Sequence, residues 1–448
     1  MPKAIRQENL YGAEDWSMVY SSFKNAEFTS YDFDTLRDSM VNYMQVNYPE
    51  EFNDYIQSSE FIALLDLVAY VGQNLAFRMD LNARENILDT AEKRESVLRI
   101  ARMLSYKPKR VRPAQGFLKV TSVITTDQII DSTGANLANK TVQWGSDTSE
   151  LEYERFVKIL DAALNSLNPI GTPVQKYVDS ESGTSYETYD FDNTDKLTNV
   201  PLAVTADGMN LTFELVPVKL DTGGSIAQKE PDYSSPFSML YRNDGRGVGS
   251  SKTGFFLFAK QGYTVTETRN IPSPQVNMNI DITNTANISE EDFTVQTVDA
   301  AGNILTTWKR TNTLDYTNLV TNNLGSDKNI YEVLYSDADI TSIKFGDGNF
   351  TNAPSGFLRL WYRIAQNDYV RVKSGDISNA KMEIKYKDQN GNPQSVYLVL
   401  ELQDNMVTGL PAETVDEIKT NAPEAFYSKN RMVTGDDYNG FLPTLNND

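Results

Sequence analysis

The sequence predicts an α+β protein with an N-terminal helical arm, a large β-rich body that carries one helical insertion, and a short helical C-terminal tail. Changes of pattern along the chain support this prediction. Across residues 31–112, apolar side chains recur every three, four and seven positions, which is the period of helices with a buried face. Across residues 113–400 they alternate every second position between turn signals, as in strands. Helical spacing returns within residues 401–448.

The composition is that of a folded protein with room for two or three domains. The chain has 448 residues, of which 40% are hydrophobic and 23% are charged. Asp66, Arg78 and Asp80 interrupt the most apolar stretch, which stays below the roughly 18 residues of a membrane span. The first residues lack the apolar core and cleavage site of a signal peptide, so we expect the chain to remain in the compartment where it is made.

The sequence contains no Cys and no His, and these two absences exclude many functions. Without Cys there is no disulfide framework, no thiolate nucleophile and no Cys-ligated zinc or iron–sulfur cluster. Without His, Ser-His-Asp and Cys-His catalysis and His-ligated metals are excluded. We therefore expect no catalytic residues, no cofactor and no metal site, which favours a protein that is not an enzyme.

The N-terminal region is predicted to be helical after a short polar arm. Residues 1–30 are polar with scattered aromatic side chains and form this arm. Helical spacing begins within residues 34–48, and Pro49 ends the helix. A longer helix is predicted over residues 58–84. With the helix that follows, these elements make residues 31–112 a helical core-bundle segment.

The long helix is apolar most of the way round, and its own short segment offers little to cover that surface. A helix of this kind needs contacts on more than one face, which predicts that other chains supply them. The predicted inter-subunit face comprises Phe61, Leu64, Leu65, Val68, Leu75 and Met79 from this helix, together with Val97, Ile100 and Leu104 from the next one.

A second helix is predicted over residues 89–105, with Asp89 and Glu92 as an acidic capping pair at its start. This helix leads into a strongly basic region, residues 93–112, in which Glu95 is the only acid. A solvated helix face explains this pattern, and so does docking to an acidic partner such as another copy of this chain, whose net charge is −20. That net charge argues against nucleic acid as a partner. The predicted docking stripe comprises Arg94, Arg99, Arg102, Lys107, Lys109 and Arg110.

Residues 113–400 are predicted to form the β-rich body. Alternating apolar runs recur between Gly-, Asn- and Asp-containing turn signals. A helical insertion over residues 151–167 and a long polar loop over residues 168–200 interrupt the strands. In the C-terminal segment, a helix over residues 412–426 is predicted to break at Pro423.

Two stretches suggest ligand-binding loops but lack residues that those loops need. In the glycine-rich stretch 244–254, a phosphate-binding loop would place Arg246 and Ser251 where glycines belong, so we predict a flexible hairpin loop. An acidic run lacks the glycine and the twelfth-position Glu of a calcium loop, so a solvated loop is predicted. That run contains Asp190, Asp192 and Asp195.

A third stretch lies between two convincing strands and consists of Phe345, Gly346, Asp347 and Gly348. Glycines on both sides of an Asp supply the positive-φ conformations of a tight turn. We therefore predict a hairpin corner at this point of the chain.

Three elements, taken in this order, resemble one known family. The first runs from Tyr31 through Leu64–Tyr70 to the helix that ends near Tyr106, and the second is the Phe345–Gly348 turn with the strand that follows. The third is a late motif with Arg431, Val433, Thr434, Asp437 and Tyr438. The set resembles the baseplate J-like proteins of contractile phage tails, and within them the wedge subunits of T-even-type phages.

The resemblance implies a structural role in the virion. Two copies of such a subunit pair through their N-terminal helices with another wedge protein to form a helical bundle. Their bodies join neighbouring wedges into a ring around the tail hub, and rearrangement of this ring is linked to sheath contraction. The resemblance further implies assembly in the host cytoplasm, with no nucleic acid and no membrane as partner. Family members continue beyond the late motif, so we expect their wedge-to-wedge region to be absent here, truncated or supplied by a separate chain.

Two alternatives from other functional classes stay open. A carboxylate-based tail hydrolase is compatible with the 61 acidic residues, but the sequence does not distinguish one carboxylate pair from the rest. A carbohydrate- or receptor-binding module could use the 24 Tyr and 4 Trp of the chain. The structural role predicts that the isolated chain self-associates, and this prediction distinguishes it from both alternatives.

Overall fold

The computed structural model of the protein describes residues 33–47, 59–144, 149–164, 168–191, 199–206, 208–221, 223–282, 287–311, 314, 328–335 and 340–428. These residues form two compact units. Unit 1 contains the described residues up to 108 together with 414–428, and unit 2 contains the described residues between 109 and 413. The helices of the described part are α1 (Phe33–Asn47), α2 (Ser59–Arg84), α3 (Arg94–Met103), α4 (Glu150–Leu164) and α5 (Val415–Ser428).

In unit 1, α1 packs along one side of α2. Ala69 of α2 is buried, and a Cβ added to Gly72 would lie 3.2 Å from Leu36 Cδ1 of α1. Small side chains at these positions allow the two helix backbones to approach closely. Arg37 Nε and Asp66 Oδ1 form an ion pair at 3.0 Å between the same helices. The helix predicted over residues 58–84 is therefore confirmed, and α1 covers only one of its sides.

The start of α3 differs from the prediction. The chain forms turns after α2 and becomes helical only at Arg94, so the predicted capping pair of Asp89 and Glu92 is wrong. A carboxylate from the end of α2 takes its place. Glu85 Oε1 accepts hydrogen bonds from the backbone N–H groups of Glu92 and Lys93, each at 3.1 Å. These N–H groups precede α3 and need an acceptor, which the buried Glu85 supplies.

The C-terminal helix α5 contains Pro423, so the predicted break at this residue is wrong. Proline in a helix interior removes one backbone hydrogen bond and costs about 3 kcal/mol. Packing on α3 offsets that cost, because Ile418 and Ala422 are completely buried against Val97 and its neighbours. Burial in unit 1 therefore keeps the helix continuous.

Unit 2 consists of strands and α4. Its strands are β1 (Gln115–Thr125), β2 (Thr141–Gln143), β3 (Gln175–Val178), β4 (Ser185–Asp190), β5 (Val200–Ala206), β6 (Met209–Val216), β7 (Val218–Leu220), β8 (Ile226–Gln228), β9 (Ser238–Asn243), β10 (Gly254–Gln261), β11 (Tyr263–Ile271), β12 (Asn279–Asp281), β13 (Ile288–Val298), β14 (Ile304–Thr311), β15 (Ile330–Tyr335), β16 (Thr341–Phe345), β17 (Gly356–Ile364), β18 (Ala380–Lys387) and β19 (Pro393–Leu402). Together with the helices of unit 1, they confirm the predicted α+β class.

The strands form two large sheets and one small one. The ten-stranded sheet has the order β18-β19-β1-β10-β9-β4-β3, with β2 beside β1, β6 beside β10 and β5 beside β6. The seven-stranded sheet has the order β11-β17-β13-β14-β15-β16-β12, in which β14 and β15 are parallel. Strands β7 and β8 pair separately.

The helical insertion packs on the ten-stranded sheet and completes its core. Phe156, Ile159 and Leu160 of α4 have no exposed surface. The ring of Phe156 lies 5.1 Å from Trp144 and 6.0 Å from Phe255 of β10, measured between centroids. The predicted insertion is therefore confirmed as an amphipathic helix whose apolar stripe faces the sheet. The seven-stranded sheet has a separate core.

Two boundaries within unit 2 need correction. The polar loop predicted over residues 168–200 contains β3 and β4, because Tyr and Thr favour strands and Tyr189 is fully buried. Residues 401–413, predicted to belong to the C-terminal helical segment, lie in unit 2. There β19 runs to Leu402, and Val407 pairs with Gln115 of β1.

The hairpin corner predicted at residues 345–348 is also wrong. Strand β16 pairs with β15 and β12, whereas β17 pairs with β11 and β13, so the strands on either side of the turn are not neighbours. Residues 358–364 of β17 are buried throughout, which is typical of a central strand covered on both faces. The turn therefore connects two separated strands of the seven-stranded sheet.

Candidate assembly interface

Helix α2 exposes an unusually large apolar surface. Eight large apolar side chains of this helix are between 49% and 67% exposed. They are Leu64, Leu67, Val68, Tyr70, Val71, Leu75, Phe77 and Met79. Burying one such side chain contributes about 1.5–3 kcal/mol, so this surface is strongly favoured to pack against something. Contiguous exposed apolar patches typically mark interaction sites.

The exposed side chains form two seams along α2. At 3.6 residues per turn, one group of five falls within a sector of about 80° and is called seam 1: Leu64, Val68, Val71, Leu75 and Met79. The other three fall within a second sector of similar width and are called seam 2: Leu67, Tyr70 and Phe77. The spacings of three and four residues along seam 1 are those of helix-to-helix packing. The remaining sector contains Ala69 and Gly72 and faces α1.

The structure divides the predicted inter-subunit face. Leu64, Val68, Leu75 and Met79 are exposed on seam 1, whereas Leu65 is half-buried and falls in the sector of Ala69 and Gly72. Phe61 belongs to α2, and its side chain lies outside the described residues. Sequence periodicity did not include Val71 in the face, although its spacing from Leu64 and Val68 supports seam 1.

The three residues predicted from the second helix belong to the core of unit 1. Val97 has no exposed surface, and Ile100 and Leu104 pack against the same cluster, which includes Ile418 and Ala422 of α5. Their inclusion in an inter-subunit face is therefore wrong. The apolar face of α3 binds a helix of its own chain.

The predicted docking stripe is divided between the two units. Arg94, Arg99, Arg102 and Lys107 belong to unit 1, where Arg99, Arg102 and Lys107 are exposed and Arg94 is half-buried. Lys109 and Arg110 belong to unit 2. The backbone N–H of Lys109 donates to Glu413 Oε2 at 2.9 Å. The guanidinium of Arg110 lies 4.1 Å from the centroid of the Tyr335 ring.

The motif turn is held by its own hydrogen bonds. Asp347 Oδ1 accepts backbone N–H groups of Asn349 at 3.0 Å and Phe350 at 2.9 Å. These bonds, against the opposing effect of burial, lower the pKa of Asp347. Gly348 has a φ of +80°, and a Cβ added to Gly346 would overlap Thr351 Oγ1 at 1.3 Å. Both glycines are thus required by the turn itself, and Phe345 is buried in the core of the seven-stranded sheet.

The glycine-rich stretch forms a hairpin loop, as predicted, between the antiparallel strands β9 and β10. Asp244 accepts hydrogen bonds from Ser250 Oγ and Thr253 Oγ1, each at 2.6 Å, and these bonds lower its pKa. Lys119 Nζ donates to the carbonyl oxygen of Ser250 at 2.8 Å. The polar atoms that a phosphate would need are engaged within the loop.

Acidic side chains line a cavity of about 570 Å³ between α4 and the β18–β19 hairpin. Asp127 Oδ2 accepts a hydrogen bond from Tyr386 Oη at 3.1 Å, and Asp388 Oδ1 accepts backbone N–H groups of its own turn. Burial raises the pKa of the third acid, Asp161, whose Oδ1 accepts the N–H of Ile170 at 2.7 Å. Each of these three carboxylates therefore accepts a hydrogen bond from a neighbouring group, which does not favour paired acid–base catalysis.

In the part of the chain that the structure describes, no group of three or more acidic side chains is placed to hold a metal ion. Asp190 of the acidic run lies 3.6 Å from Lys229 Nζ, while Asp192 and Asp195 lie outside the described residues, as does the late motif at residues 431–438. No helix of the same described part combines the length and apolarity of a membrane span.

Within the described part of this α+β chain, a helix with an exposed apolar surface has the features of an assembly element, and similarity to known families suggests the kind of assembly. Residues 32–103 match the family described as bacteriophage baseplate protein, N-terminal domain. This match supports a bacteriophage baseplate protein and suggests a structural, non-enzymatic role in the virion tail. Residues 116–405, more than half of the chain, match the family described as domain of unknown function (DUF8360), to which the chain belongs. No curated protein matches the chain.

Proposed function

We propose that this protein is a structural subunit of the baseplate wedge of a contractile phage tail, and that it enters the wedge through α2. The observation that carries the proposal is the exposed apolar surface of α2, which lies within the matched baseplate domain. The β-rich unit 2 has three buried apolar clusters of its own. Helix α2, with its exposed apolar surface, is thus the described element best suited to assembly.

Seam 1 is proposed to bind the same seam of a second copy of the chain. Its five members are aliphatic residues and Met, without a charged side chain, so two copies can meet there although each carries a net charge of −20. Valine and leucine at spacings of three and four residues are suited to paired helices. The resulting homodimer contact leaves seam 2 accessible.

Seam 2 is proposed to bind a helix of a different wedge protein. Tyr70 and Phe77 supply aromatic side chains, which are enriched among the residues that dominate binding energy at interfaces. Two seams on one helix would place α2 in the centre of a hetero-oligomeric bundle. This arrangement agrees with the bundle that the resemblance to wedge subunits implies.

The remaining parts of the proposal rest on the resemblance. Unit 2 and the C-terminal region join neighbouring wedges into a ring around the tail hub, and rearrangement of that ring is linked to sheath contraction. Assembly takes place in the host cytoplasm. The exposed Arg99 and Arg102 strengthen contacts with acidic partner surfaces, so their reversal to Glu weakens assembly most at low salt.

The proposal is tested by complementation in a phage that lacks this protein. Supplied in trans, the wild-type chain restores baseplates and contractile tails, counted by electron microscopy. Leu75→Asp does not, because an unpaired carboxylate buried in seam 1 costs several kcal/mol. The matched control is Gln73→Asp, which introduces the same acid at a polar position of α2 outside both seams. Full restoration by Leu75→Asp would exclude seam 1 from assembly.

A further inference from the structure

Four charged side chains lie together inside unit 2, where the ten-stranded sheet meets the seven-stranded sheet. Glu214 of β6 and Lys260 of β10 belong to the ten-stranded sheet, whereas Asp292 of β13 and Arg363 of β17 belong to the seven-stranded sheet. Their side chains are between 1% and 11% exposed. We call these four residues the charge clamp.

Ion pairs of the charge clamp cross from one sheet to the other. Lys260 Nζ lies 2.5 Å from Asp292 Oδ1, and Arg363 Nη2 lies 3.2 Å from Glu214 Oε2. Arg363 Nε also lies 3.4 Å from Asp292 Oδ2, which couples the two pairs into one network. Two positive and two negative charges balance one another, as burial requires.

Neutral groups around the clamp add further hydrogen bonds to it. Glu214 accepts the backbone N–H of Thr264 at 2.9 Å and the hydroxyl of the same residue at 2.8 Å. Asn199 Nδ2 donates to Glu214 Oε2 at 3.1 Å. Arg363 Nη1 donates to the carbonyl oxygen of Gln261 at 3.4 Å. Partners from both sheets therefore hold each end of the Glu214–Arg363 pair in a defined place.

The clamp lies next to one of the two points where the chain passes between the large sheets; the other is the segment 365–379 between β17 and β18. Strand β10 ends at Gln261 and β11 begins at Tyr263, so Gly262 alone links them. Gly262 has a φ of +90°, and a Cβ there would lie 2.0 Å from the carbonyl oxygen of Ile364. A one-residue link in the left-handed region sets a sharp change of direction, and the N–H of Gly262 donates to the carbonyl oxygen of Thr212 at 2.7 Å.

Asp292 reaches the clamp because β13 is irregular at this point. The register between β13 and β17 shifts between Ile288 and Phe293, which places Asp292 in a bulge. Such bulges redirect side chains locally. Within the same bulge, Ser289 Oγ donates to Asp292 Oδ2 at 3.3 Å and orients the carboxylate.

We propose that the charge clamp is a conformational lock, which fixes the orientation of the seven-stranded sheet against the ten-stranded sheet at the Gly262 joint. Apolar contacts are non-directional and tolerate small rotations. A rotation that separates the clamp leaves charges buried without partners, which is strongly unfavourable. The lock therefore permits one orientation. This inference concerns the interior of unit 2 and does not depend on the wedge role.

The absence of Cys makes the orientation measurable in the full chain. Lys381→Cys on β18 and Thr307→Cys on β14 place spin labels at exposed positions, one on each sheet. Pulsed electron paramagnetic resonance then gives the distribution of distances between the two labels. The doubly labelled chain with an intact clamp is expected to show one narrow distribution.

Two clamp variants are compared in this labelled chain. The two-charge variant combines Lys260→Met with Asp292→Asn, and the four-charge variant adds Glu214→Gln and Arg363→Met. The amide replacements keep acceptors for Ser289 and Thr264, so hydrogen bonding is largely preserved. The matched control, Arg155→Met with Asp131→Asn, removes a buried ion pair of 2.6 Å that links α4 to a turn and does not cross between the sheets.

The expected result is a distribution that broadens in the two-charge variant and broadens further, with a shifted maximum, in the four-charge variant. The control keeps the narrow distribution. An unchanged distribution in a four-charge variant with native circular dichroism overturns the proposal. If the four-charge variant does not fold, the two-charge variant decides, since its unchanged distribution also contradicts the lock.

Discussion

The core side chains of unit 2 and the apolar side chains of helix α2 differ in their exposure to solvent. Phe156, Phe213 and Phe255 of unit 2 are almost completely buried, whereas Leu64, Leu67 and Met79 of α2 are more than half exposed. Unit 2 therefore contains the contacts that its own folding needs. Helix α2 carries apolar surface that the described residues of its own chain leave exposed. The difference separates a self-contained body from an element built for assembly.

The comparison predicts that substitutions in the two regions change different quantities. The largest effect on folding is expected from Phe255→Ala, because its ring contacts Trp144, Phe156 and Tyr241. Loss of a buried Phe typically lowers the free energy of unfolding by about 3–5 kcal/mol. Urea titration monitored by Trp fluorescence measures this loss in the free energy of unfolding, since Trp144, Trp308 and Trp361 lie in unit 2. An unchanged midpoint would show that this core is not needed for stability.

A smaller effect is expected from Gly346→Ala in the motif turn. The added Cβ overlaps Thr351 Oγ1, and such overpacking costs about 1–3 kcal/mol. The matched control is Gly223→Ala, where an added Cβ meets nothing within 4 Å. The same urea titration should separate the two variants. Equal midpoints would mean that the turn relaxes to accommodate the methyl group.

Acid should weaken unit 2 through Asp131. Hydrogen bonds from Thr133 and Ala135 and the Arg155 side chain hold the pKa of Asp131 well below its unfolded value of about 3.9. Because the folded pKa is the lower one, the carboxylate contributes stability above about pH 4 that is lost as the pH falls further. Asp131→Asn and Thr133→Val are each expected to reduce this acid dependence, measured as unfolding midpoints from pH 6 to pH 3. An acid dependence equal to that of the wild type in both variants would contradict the assignment.

The smallest effect on folding is expected from Val68→Asp on seam 1. The position is 49% exposed, and substitutions at such sites usually change stability by no more than about 0.5 kcal/mol. The circular dichroism of the helices and the urea midpoint should therefore match the wild type. Assembly should nevertheless be lost. A strong loss of stability would place Val68 in the core of its own chain.

Local sequence periodicity was sufficient to predict some elements of the fold but not others. It predicted α2 and α4, because each has one apolar repeat sustained over several turns. It missed β3 and β4, whose polar and aromatic residues do not alternate with apolar ones. It also assigned Val97 to a partner chain, because its actual cover, Ile418, lies far along the sequence. Pairings between distant segments are set by tertiary packing and leave no local pattern.

The same difference between local patterns and distant contacts applies to the candidate interface and the charge clamp. Seam 1 could be predicted in part from spacing alone, while the exposure of seam 2 depended on where α1 packs. The charge clamp was missed altogether. A hint was available in Arg363, which, like Arg359, is a charged residue within the apolar strand β17. Its partner Glu214 is separated from it by about half of unit 2, and one sequence does not reveal such a pair.

The most direct test of the assembly role of α2 is a cross-link at the middle of seam 1. Because the chain has no Cys, Val71→Cys introduces a single thiol, and position 71 is central in the seam whether two helices pair in parallel or antiparallel. Mild oxidation of the full chain should give a disulfide-linked dimer on a non-reducing gel, and adding Val68→Asp should abolish it. Lys381→Cys, exposed on β18 of unit 2, is the matched control and should stay monomeric. A Val71→Cys chain that remains monomeric, or a dimer that persists with Val68→Asp, would contradict pairing through this seam.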